Sequence, residues 1–376
     1  MVNIYPYIFF TLFISTYLCL INYCSAKVNS SELRVVFGIL TTLVFGILSV
    51  FYGWRLVDSG HGGIDTVGYQ SIFNSLSQNF SEGVFSQRIE KGYATIMWLV
   101  KSISDDFSIF LFCYFFVLLV LYKNITQKLT ISFFNILSYY LIALLLIDSF
   151  NISRMILGVF ILFFSVVALA DNKYLKAIFL IVIATSIQLV CAWGVVFIIY
   201  KYTYEKIKNK KVFYTLYLSS LGVSYLLVEL FKFILVSIEY GHYVVDESGT
   251  VSFLNYIYAM ILIMFFYFTK SKFEIKNKIT LQIFYLLPTI FYIVPLYSAI
   301  PIAYRFNYIY ILFFIFIIPD MLNICISKIK SGQWGFLGFL IVVLIYIFMK
   351  VFNFFTRDIY AALEWSMVYD FVFWRL

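Results

Sequence analysis

Residues 151–170 read NISRMILGVFILFFSVVALA, in which one arginine precedes a long uncharged and mostly apolar run. A helix needs about 20 apolar residues to cross the hydrocarbon core of a bilayer. Comparable runs recur along the whole chain, so the sequence predicts an all-α, polytopic integral membrane protein with about ten full transmembrane helices. The candidate spans lie near residues 4–21, 35–54, 107–122, 129–147, 155–170, 212–228, 253–269, 279–298, 308–326 and 333–350.

The composition supports the same fold class. The chain has 376 residues, of which 63% are hydrophobic and 12% are charged. A soluble domain has about 45–50% apolar and about 25% charged residues, so a water-soluble globule is excluded. The five cysteines form no CxxC pair, and the chain has two histidines. A zinc site and a disulfide framework are therefore not predicted, and we expect no cofactor.

The lysines predict the orientation. Of the 27 basic residues, 17 fall in one set of connections with five acidic residues, whereas the opposite set has ten basic and 14 acidic residues. Because connections rich in Lys and Arg stay in the cytoplasm, the first set is predicted to be cytoplasmic. The run 4–21 lacks a basic leader and a clear cleavage site, so we expect a retained span. Both termini are then predicted to be periplasmic.

Two segments do not fit a simple alternation of spans. Residues 93–104 are too short to cross, and we expect an interfacial or re-entrant helix on the outer side. Residues 177–200 have predicted cytoplasmic lysines at both ends. This run is therefore predicted to be a hairpin of two half-helices that turns near the polar residues 185–188. Irregular backbone at that depth needs protein or a watery cavity around it, so Gln188 is a candidate cavity residue.

The arginines are distributed differently from the lysines. Sixteen of 20 lysines are on the predicted cytoplasmic face, whereas six of seven arginines are on the outer face. Arg55, Arg154 and Arg305 lie at the outer ends of three predicted spans. The planar guanidinium fork binds phosphate bidentately, which an ammonium group does less selectively. These positions predict an external site for a phosphate-bearing or other anionic ligand. The alternative is that the arginines contact lipid headgroups or pair with acids such as Asp148.

Two external loops are candidates for the ligand-binding surface. We expect residues 1–376 to form one transmembrane domain, with loops 55–106 and 229–252 capping an outward-facing cavity. In the first loop Asp65, Glu90 and His61 are acid/base candidates, and the alternative for each acid is a solvated carboxylate. The glycines there match no nucleotide-binding motif, so ATP chemistry is not predicted. Tyrosines and acids in the second loop suit sugar binding or an aromatic belt at the membrane interface.

Short motifs in these regions resemble the EpsG/Wzy-type polymerases of bacterial polysaccharides. After the second span, Arg55 is followed by Gly63, Asp65, Thr66 and Tyr69, similar to the family's R-x-x-x-GxD-x-x-x-Y stretch with extra residues inserted. Further matches are an E-x-G-Y element with Glu90, Gly92 and Tyr93, then Phe150, Asn151 and Arg154, and finally Arg305, Tyr308 and Pro319. The chain departs from the pattern at Met155, where the family often has Gln, and at Gln188, where it often has His.

This resemblance implies a GT-C-like enzyme in the bacterial inner membrane that needs no metal. It would transfer a growing O-antigen or exopolysaccharide chain from undecaprenyl pyrophosphate to the non-reducing end of a lipid-linked repeat, at the periplasmic face. Arg154 and Arg305 would bind the donor pyrophosphate, with Arg55 assisting or binding the second one, and Asp65 or Glu90 would be the base. The expected substrate-binding residues are Arg55, His61, Tyr69, Arg88, Tyr93, Asn151, Gln188 and Tyr308.

The same resemblance implies partners and leaves alternatives open. The partners would be the lipid-linked oligosaccharides, the bilayer, a chain-length regulator and a flippase, and no nucleic acid. A lipid-linked oligosaccharide flippase should show charges at mid-membrane depth and internal repeats, which the sequence lacks. An O-antigen ligase normally has a His in a late periplasmic loop, for which His242 is the counterpart. A membrane acyltransferase would need a buried catalytic His, and neither histidine falls within a predicted span.

Overall fold

The structure is a computed structural model, and its described residues confirm the predicted all-α class. These are residues 5–27, 30–55, 57, 64–130, 132–150, 152–226, 233, 253–270, 275–298 and 305–353. Within them the chain is all-helical and contains no β-strand.

The α-helices, numbered in chain order, are α1 Tyr5–Lys27, α2 Ser31–Gly53, α3 Ile64–Ser75, α4 Phe80–Phe85, α5 Lys91–Lys101, α6 Phe107–Thr126, α7 Asn135–Asp148, α8 Ser153–Ala170, α9 Tyr174–Ile187, α10 Gly194–Lys206, α11 Lys210–Leu226, α12 Phe253–Lys270, α13 Lys278–Leu286, α14 Asn307–Lys330 and α15 Phe336–Asn353. Three 3₁₀ segments interrupt them at Leu189–Trp193, Leu287–Ile293 and Pro295–Ser298.

Five of the described helices are long and apolar enough to cross a membrane, namely α1, α2, α6, α8 and α14. Five shorter apolar stretches lie in α7, α9, α12, α15 and the segment that begins with α13. The protein is therefore a polytopic membrane protein. The number of full crossings stays a prediction, because length and composition alone identify these five.

Helices α8 and α14 form the centre of the bundle. In their most apolar windows, 72% and 78% of the residues are buried, compared with 22% for both α1 and α2. The rings of Phe163 and Phe316 pack 4.9 Å apart where the two central helices meet. On α2, by contrast, Leu43 and Ile47 are each 58% exposed. Apolar side chains on this perimeter match a lipid-facing surface.

The predicted hairpin is present. Helix α9 ends at Ile187, Gln188 adopts an extended backbone (φ −148°, ψ 115°), and α10 begins at Gly194 after one 3₁₀ segment. The far end of α10 returns to the start of α9. There Lys201 Nζ donates to the carbonyl of Leu169 and, at 2.8 Å, to Asn172 Oδ1. The Tyr174 hydroxyl donates to Glu205 Oε2 at 2.6 Å. A single straight span through 177–200 is excluded.

One predicted span needs correction. Residues 279–298 were expected to form one helix, but α13 ends at Leu286 and the chain continues as 3₁₀ turns. Pro288 and Pro295 explain the change, because proline has no N–H and its ring clashes with the preceding turn of an α-helix. The short helix expected within 93–104 is α5, which has 11 residues.

Candidate functional site

The first element of the site is a helix in the predicted external loop. Residues from Ile64 onward form α3, so Gly68 lies inside a helix and not in a tight turn. Thr66, Tyr69, Phe73 and Leu76 are all buried. Their spacing of three or four residues is that of one helical face, a signal that was available in the sequence. This packing fixes α3 against the bundle and positions Asp65 and Tyr69.

Arg154 is held at the start of α8 by two side chains from the predicted loop. Its Nε donates to the Tyr69 hydroxyl at 2.9 Å, and its Nη1 forms an ion pair with Glu90 Oε2. The side chains of Arg154 and Glu90 are 14% and 11% exposed, so the pair is well shielded. Nη2 makes no hydrogen bond with another described residue. One edge of the guanidinium fork is therefore available for a ligand.

Glu90 connects this ion pair to the tip of the hairpin. Its second oxygen, Oε1, accepts a hydrogen bond from the backbone N–H of Leu189 at 3.3 Å. Two residues later, α5 approaches the end of α9 very closely. A Cβ atom at Gly92 would lie 2.6 Å from the Ser186 carbonyl oxygen, so only glycine fits there without a shift. The E-x-G-Y element thus places Glu90 by close helix packing.

Arg305 and Asp65 are coupled electrostatically to Arg154 and Tyr69. The positive charges of Arg305 and Arg154 both act on the Asp65 carboxylate, and all three groups affect Tyr69. Within the described part of the chain, the buried Nε of Arg305 has no hydrogen-bond acceptor. A buried donor without an acceptor is costly, so this arginine is suited to an anionic ligand. Next to it, the ring of Phe306 packs 5.1 Å from Trp193 on the hairpin.

Burial sets the protonation of two groups on α3. Burial raises the pKa of the Asp65 carboxyl, although the charges of Arg305 and Arg154 oppose this effect. Burial also raises the pKa of the Tyr69 phenol. The phenol therefore keeps its proton at neutral pH and can donate it to a ligand oxygen while accepting from Arg154 Nε.

Arg55 has a different environment from the other two arginines. It is 5% exposed and lies 4.0 Å from the centre of the Tyr52 ring. Nη1 donates to the Tyr52 carbonyl at 3.0 Å, and Nη2 lies 3.4 Å from Thr66 Oγ1 and 3.5 Å from the Phe150 carbonyl. Thr66 Oγ1 also donates to that carbonyl at 2.5 Å. These contacts of Nη1 and Nη2 join α2, α3 and the turn before α8, which indicates a positioning role for Arg55.

Two buried tyrosines form hydrogen bonds with Ser153 at the start of α8. The Tyr93 hydroxyl and Ser153 Oγ are 2.9 Å apart, and the Tyr114 hydroxyl donates to the Ser153 carbonyl at 2.7 Å. The sequence pointed to Tyr93 and, as part of a motif without an assigned role, to Thr66, but not to Ser153 or Tyr114. The missed side chains contact backbone or each other across distant segments, and such contacts leave no local pattern.

The structure brings together most, but not all, of the predicted site residues. Asp65, Tyr69, Glu90, Arg154 and Arg305 form one cluster, in which the backbone N–H of Leu189 donates to Glu90. Gln188 is buried beside that leucine at the hairpin break, and Tyr308 is half-buried at the start of α14. Arg88 is exposed. His61, Asn151, the loop 229–252 except residue 233, and both chain termini lie outside the described residues.

The arrangement suits an anionic ligand. Two guanidinium groups converge beside two carboxylates and one neutral phenol, and α8 begins there without a side-chain cap. An uncapped helix N-terminus attracts anions through its unbonded N–H groups. Among the described residues, no group of three His, Cys, Asp or Glu side chains could hold a metal ion. Metal independence stays a prediction.

This fold and site define a polytopic helical membrane protein with an arginine–carboxylate cluster at one end of its central helix. The chain belongs to the EpsG family, whose model matches residues 38–365, and the suspected family is thereby confirmed. Family membership indicates a polysaccharide polymerase-type function of the glycosyltransferase kind. No curated protein and no solved structure gave a significant match.

Proposed function

We propose that the protein is a polysaccharide polymerase acting on undecaprenyl-pyrophosphate-linked oligosaccharides. The growing glycan of one lipid pyrophosphate is transferred to the non-reducing end of a second lipid-linked repeat. The observations that support this proposal are the fixing of Arg154 by Tyr69 and Glu90 at the start of α8 and the action of the Arg154 and Arg305 charges on the Asp65 carboxylate. A pyrophosphate leaving group requires fixed positive charge, and a hydroxyl nucleophile requires a base.

In the proposed reaction, an acceptor sugar hydroxyl attacks the anomeric carbon of the donor. A new C–O glycosidic bond forms while the bond from the anomeric carbon to the pyrophosphate oxygen breaks. The electron pair goes to undecaprenyl pyrophosphate, and Arg154 and Arg305 stabilise the negative charge that develops on its oxygen. The hydroxyl proton goes to a carboxylate of the protein. No further reactant is needed.

Of the two carboxylates, Asp65 is the better candidate for the base. Glu90 accepts from Arg154 and from the Leu189 N–H, which suits this carboxylate to orienting Arg154. Burial raises the pKa of Asp65, which brings a carboxyl closer to the operating pH and makes its carboxylate a stronger proton acceptor. The sequence alone left these two residues equivalent.

Reconstitution tests the reaction class. Purified protein in liposomes is supplied with a lipid-linked repeat unit, and the products are separated by chain length. A polymerase gives a ladder of longer lipid-linked glycans with one undecaprenyl pyrophosphate released per step. The variant Asp65→Asn should give no ladder at equal protein abundance. Movement of the unchanged repeat across the bilayer would identify a flippase. Transfer to a lipid A core acceptor without a ladder would identify a ligase.

The proposed location of the reaction is the periplasmic face of the inner membrane, where a flippase delivers repeats and a chain-length regulator contacts the enzyme. Reporter fusions test this orientation. Fusions within residues 201–211 should report the cytoplasm, and fusions within residues 56–92 should report the periplasm. A cytoplasmic signal from residues 56–92 would place the arginine cluster on the face where basic residues normally accumulate, and would contradict a periplasmic reaction.

A further inference from the structure

A second charged site lies at the opposite end of α8. Helix α8 begins at Ser153, next to Arg154, and ends at Ala170. Its 18 residues span roughly 27 Å at 1.5 Å per residue. Around its last two turns, the ends of α6 and α8 and the start of α9 border an open pocket of about 230 Å³. This pocket is therefore separate from the candidate polymerase site.

The walls of the pocket are basic and amide-bearing at the rim and apolar further in. Lys128, Lys173, Lys176, Asn124 and Gln127 contribute polar groups. The inner wall is formed by three residues of α8, of which Phe164 and Val167 are half-buried and Ala168 is buried. Pockets of this kind, basic at the rim and placed between helix ends, are typical of sites for lipid headgroups.

The charge of the pocket is not neutralised by its own acid. Asp171 is the one acidic residue that lines it, and this carboxylate pairs with Lys173 at 3.4 Å. The two side chains are 47% and 62% exposed, so the pair contributes little to stability. Three lysines against one aspartate leave an excess of positive charge. The first turn of α9 adds no acidic residue, and its N-cap has no side-chain hydrogen bond.

We propose that this pocket binds a phosphate group, and that the phosphate belongs to the headgroup of an anionic phospholipid. The lysines and amides would contact the phosphate oxygens, while an acyl chain would follow Phe164 and Val167 toward the bilayer. Because α6, α8 and α9 all border the pocket, a bound lipid would stabilise the base of the hairpin. This inference is independent of the proposed polymerase reaction.

Thermal unfolding of the purified full chain, followed by tryptophan fluorescence, tests the proposal. Phosphatidylglycerol, phosphatidylcholine or soluble glycerol 3-phosphate is titrated into protein in a neutral detergent. We expect phosphatidylglycerol to raise the unfolding temperature at a lower concentration than phosphatidylcholine. The triple variant Lys128→Gln/Lys173→Gln/Lys176→Gln should raise the half-saturating concentration of phosphatidylglycerol by roughly 100-fold, at about fivefold per lysine.

Matched variants at the same end of the bundle distinguish a specific phosphate site from a general attraction between exposed lysines and anionic lipid. Lys206, Lys208 and Lys211 are exposed and do not line the pocket. Their triple change to Gln should shift half-saturation by about twofold or less, in keeping with weak screened surface charges. The variant Asp171→Asn should act in the opposite direction and tighten binding. If the pocket triple variant does not fold, Asp171→Asn and the single variant Lys176→Gln test the same site.

Each outcome decides between sources of the phosphate or rejects the site. Selective stabilisation by phosphatidylglycerol that depends on the pocket lysines supports a lipid headgroup. An equal, lysine-dependent effect of glycerol 3-phosphate supports the phosphate site but assigns it to a soluble ligand. An equal loss of phosphatidylglycerol affinity in the two triple-lysine variants would overturn the proposal. The absence of phosphate-dependent stabilisation of the unmodified protein would also overturn it.

Discussion

The two ends of α8 carry positive charge in different ways. At its start, Arg154 is fixed by Tyr69 and Glu90 and is 14% exposed. At its far end, Lys173 and Lys176 are exposed around an open pocket. Guanidinium groups held by protein partners are preorganised, whereas exposed ammonium groups remain mobile and hydrated. The first arrangement suits stabilisation of charge that develops during a reaction, and the second suits equilibrium binding of an anion.

Arg55 and Arg154 also differ in the groups to which they donate hydrogen bonds. The two terminal nitrogens of Arg55, Nη1 and Nη2, contact backbone carbonyls and Thr66. Arg154 instead bonds to side chains that belong to the candidate site and retains a free fork edge among the described residues. Proximity to the external face is therefore insufficient to assign an arginine to ligand binding.

The largest expected effect follows from replacing the two arginines of the candidate site, Arg154 and Arg305. Arg154→Lys or Arg305→Lys keeps the charge but removes the fork geometry. Each should lower the polymerisation rate by about 100- to 1000-fold, by analogy with the loss of one preorganised oxyanion donor. Polymer length in cells that lack the native protein, normalised to membrane abundance, measures this. The control is Arg34→Lys, at the start of α2 on the predicted cytoplasmic face, which should polymerise normally. An equal defect in Arg34→Lys would show that the effect is not specific to the arginines of the candidate site.

A smaller effect is expected from the residues that position Arg154. Thr66→Val keeps the shape of the side chain but removes the hydroxyl that bonds to the Phe150 carbonyl. Misplacement of a catalytic group by about 1 Å can cost up to roughly 100-fold in rate. We expect a fall in kcat with little change in KM, and recovery with Thr66→Ser. If Thr66→Val and Arg55→Lys raise KM alone, Arg55 contacts the ligand directly.

The close contact between α5 and the hairpin predicts a change in stability. Gly92→Ala would place a Cβ atom 2.6 Å from the Ser186 carbonyl oxygen. Overpacking of this kind costs about 1–3 kcal/mol, so the unfolding temperature should fall. Gly46→Ala in α2 is the control, because its Cβ would meet nothing within 4 Å. Tryptophan fluorescence during heating measures both variants, and a neutral Gly92→Ala would show that the helices are further apart.

The smallest expected effect is a shift of the pH profile. If Asp65 is the base, activity falls as the pH decreases through its pKa. The charge of Arg305 lowers that pKa, whereas burial raises it. Arg305→Gln removes the lowering charge, so the acid limb of the residual activity should move to higher pH. Arg305→Lys keeps the charge and should slow the reaction without moving the limb. An unmoved limb in Arg305→Gln would mean that another group titrates.

Much of the fold was predictable from the sequence because apolar runs and their flanking charges are local signals. The hairpin at 177–200 was predictable for the same reason, since lysines mark both of its ends. The interruption after Leu286 was missed, although Pro288 and Pro295 indicate it. Helix α3 was also missed, although the residues from Thr66 to Leu76 show the helical spacing of one buried face.

The site was predictable only in part. Residue type and position at span ends selected Arg154, Arg305, Asp65 and Glu90, which the structure brings together. Their separate roles depend on contacts between segments distant in sequence. The Glu90–Arg154 ion pair, for example, joins residues 64 positions apart. Such pairing has no local signature, so the sequence could not show that Glu90 orients an arginine or that Arg55 is directed at backbone carbonyls.

The account is tested most directly by measuring pyrophosphate binding at the start of α8. Calorimetric titration of the purified protein with a short-chain polyprenyl pyrophosphate gives Kd for the unmodified chain and for Arg154→Lys, Arg305→Lys and Arg34→Lys. The account predicts that the first two variants bind about 10- to 100-fold more weakly, the loss expected for one charge-assisted hydrogen bond of about 1.5–3 kcal/mol. Arg34→Lys should bind as tightly as the unmodified chain. Unchanged affinity in both Arg154→Lys and Arg305→Lys would contradict the assignment of these arginines to the pyrophosphate.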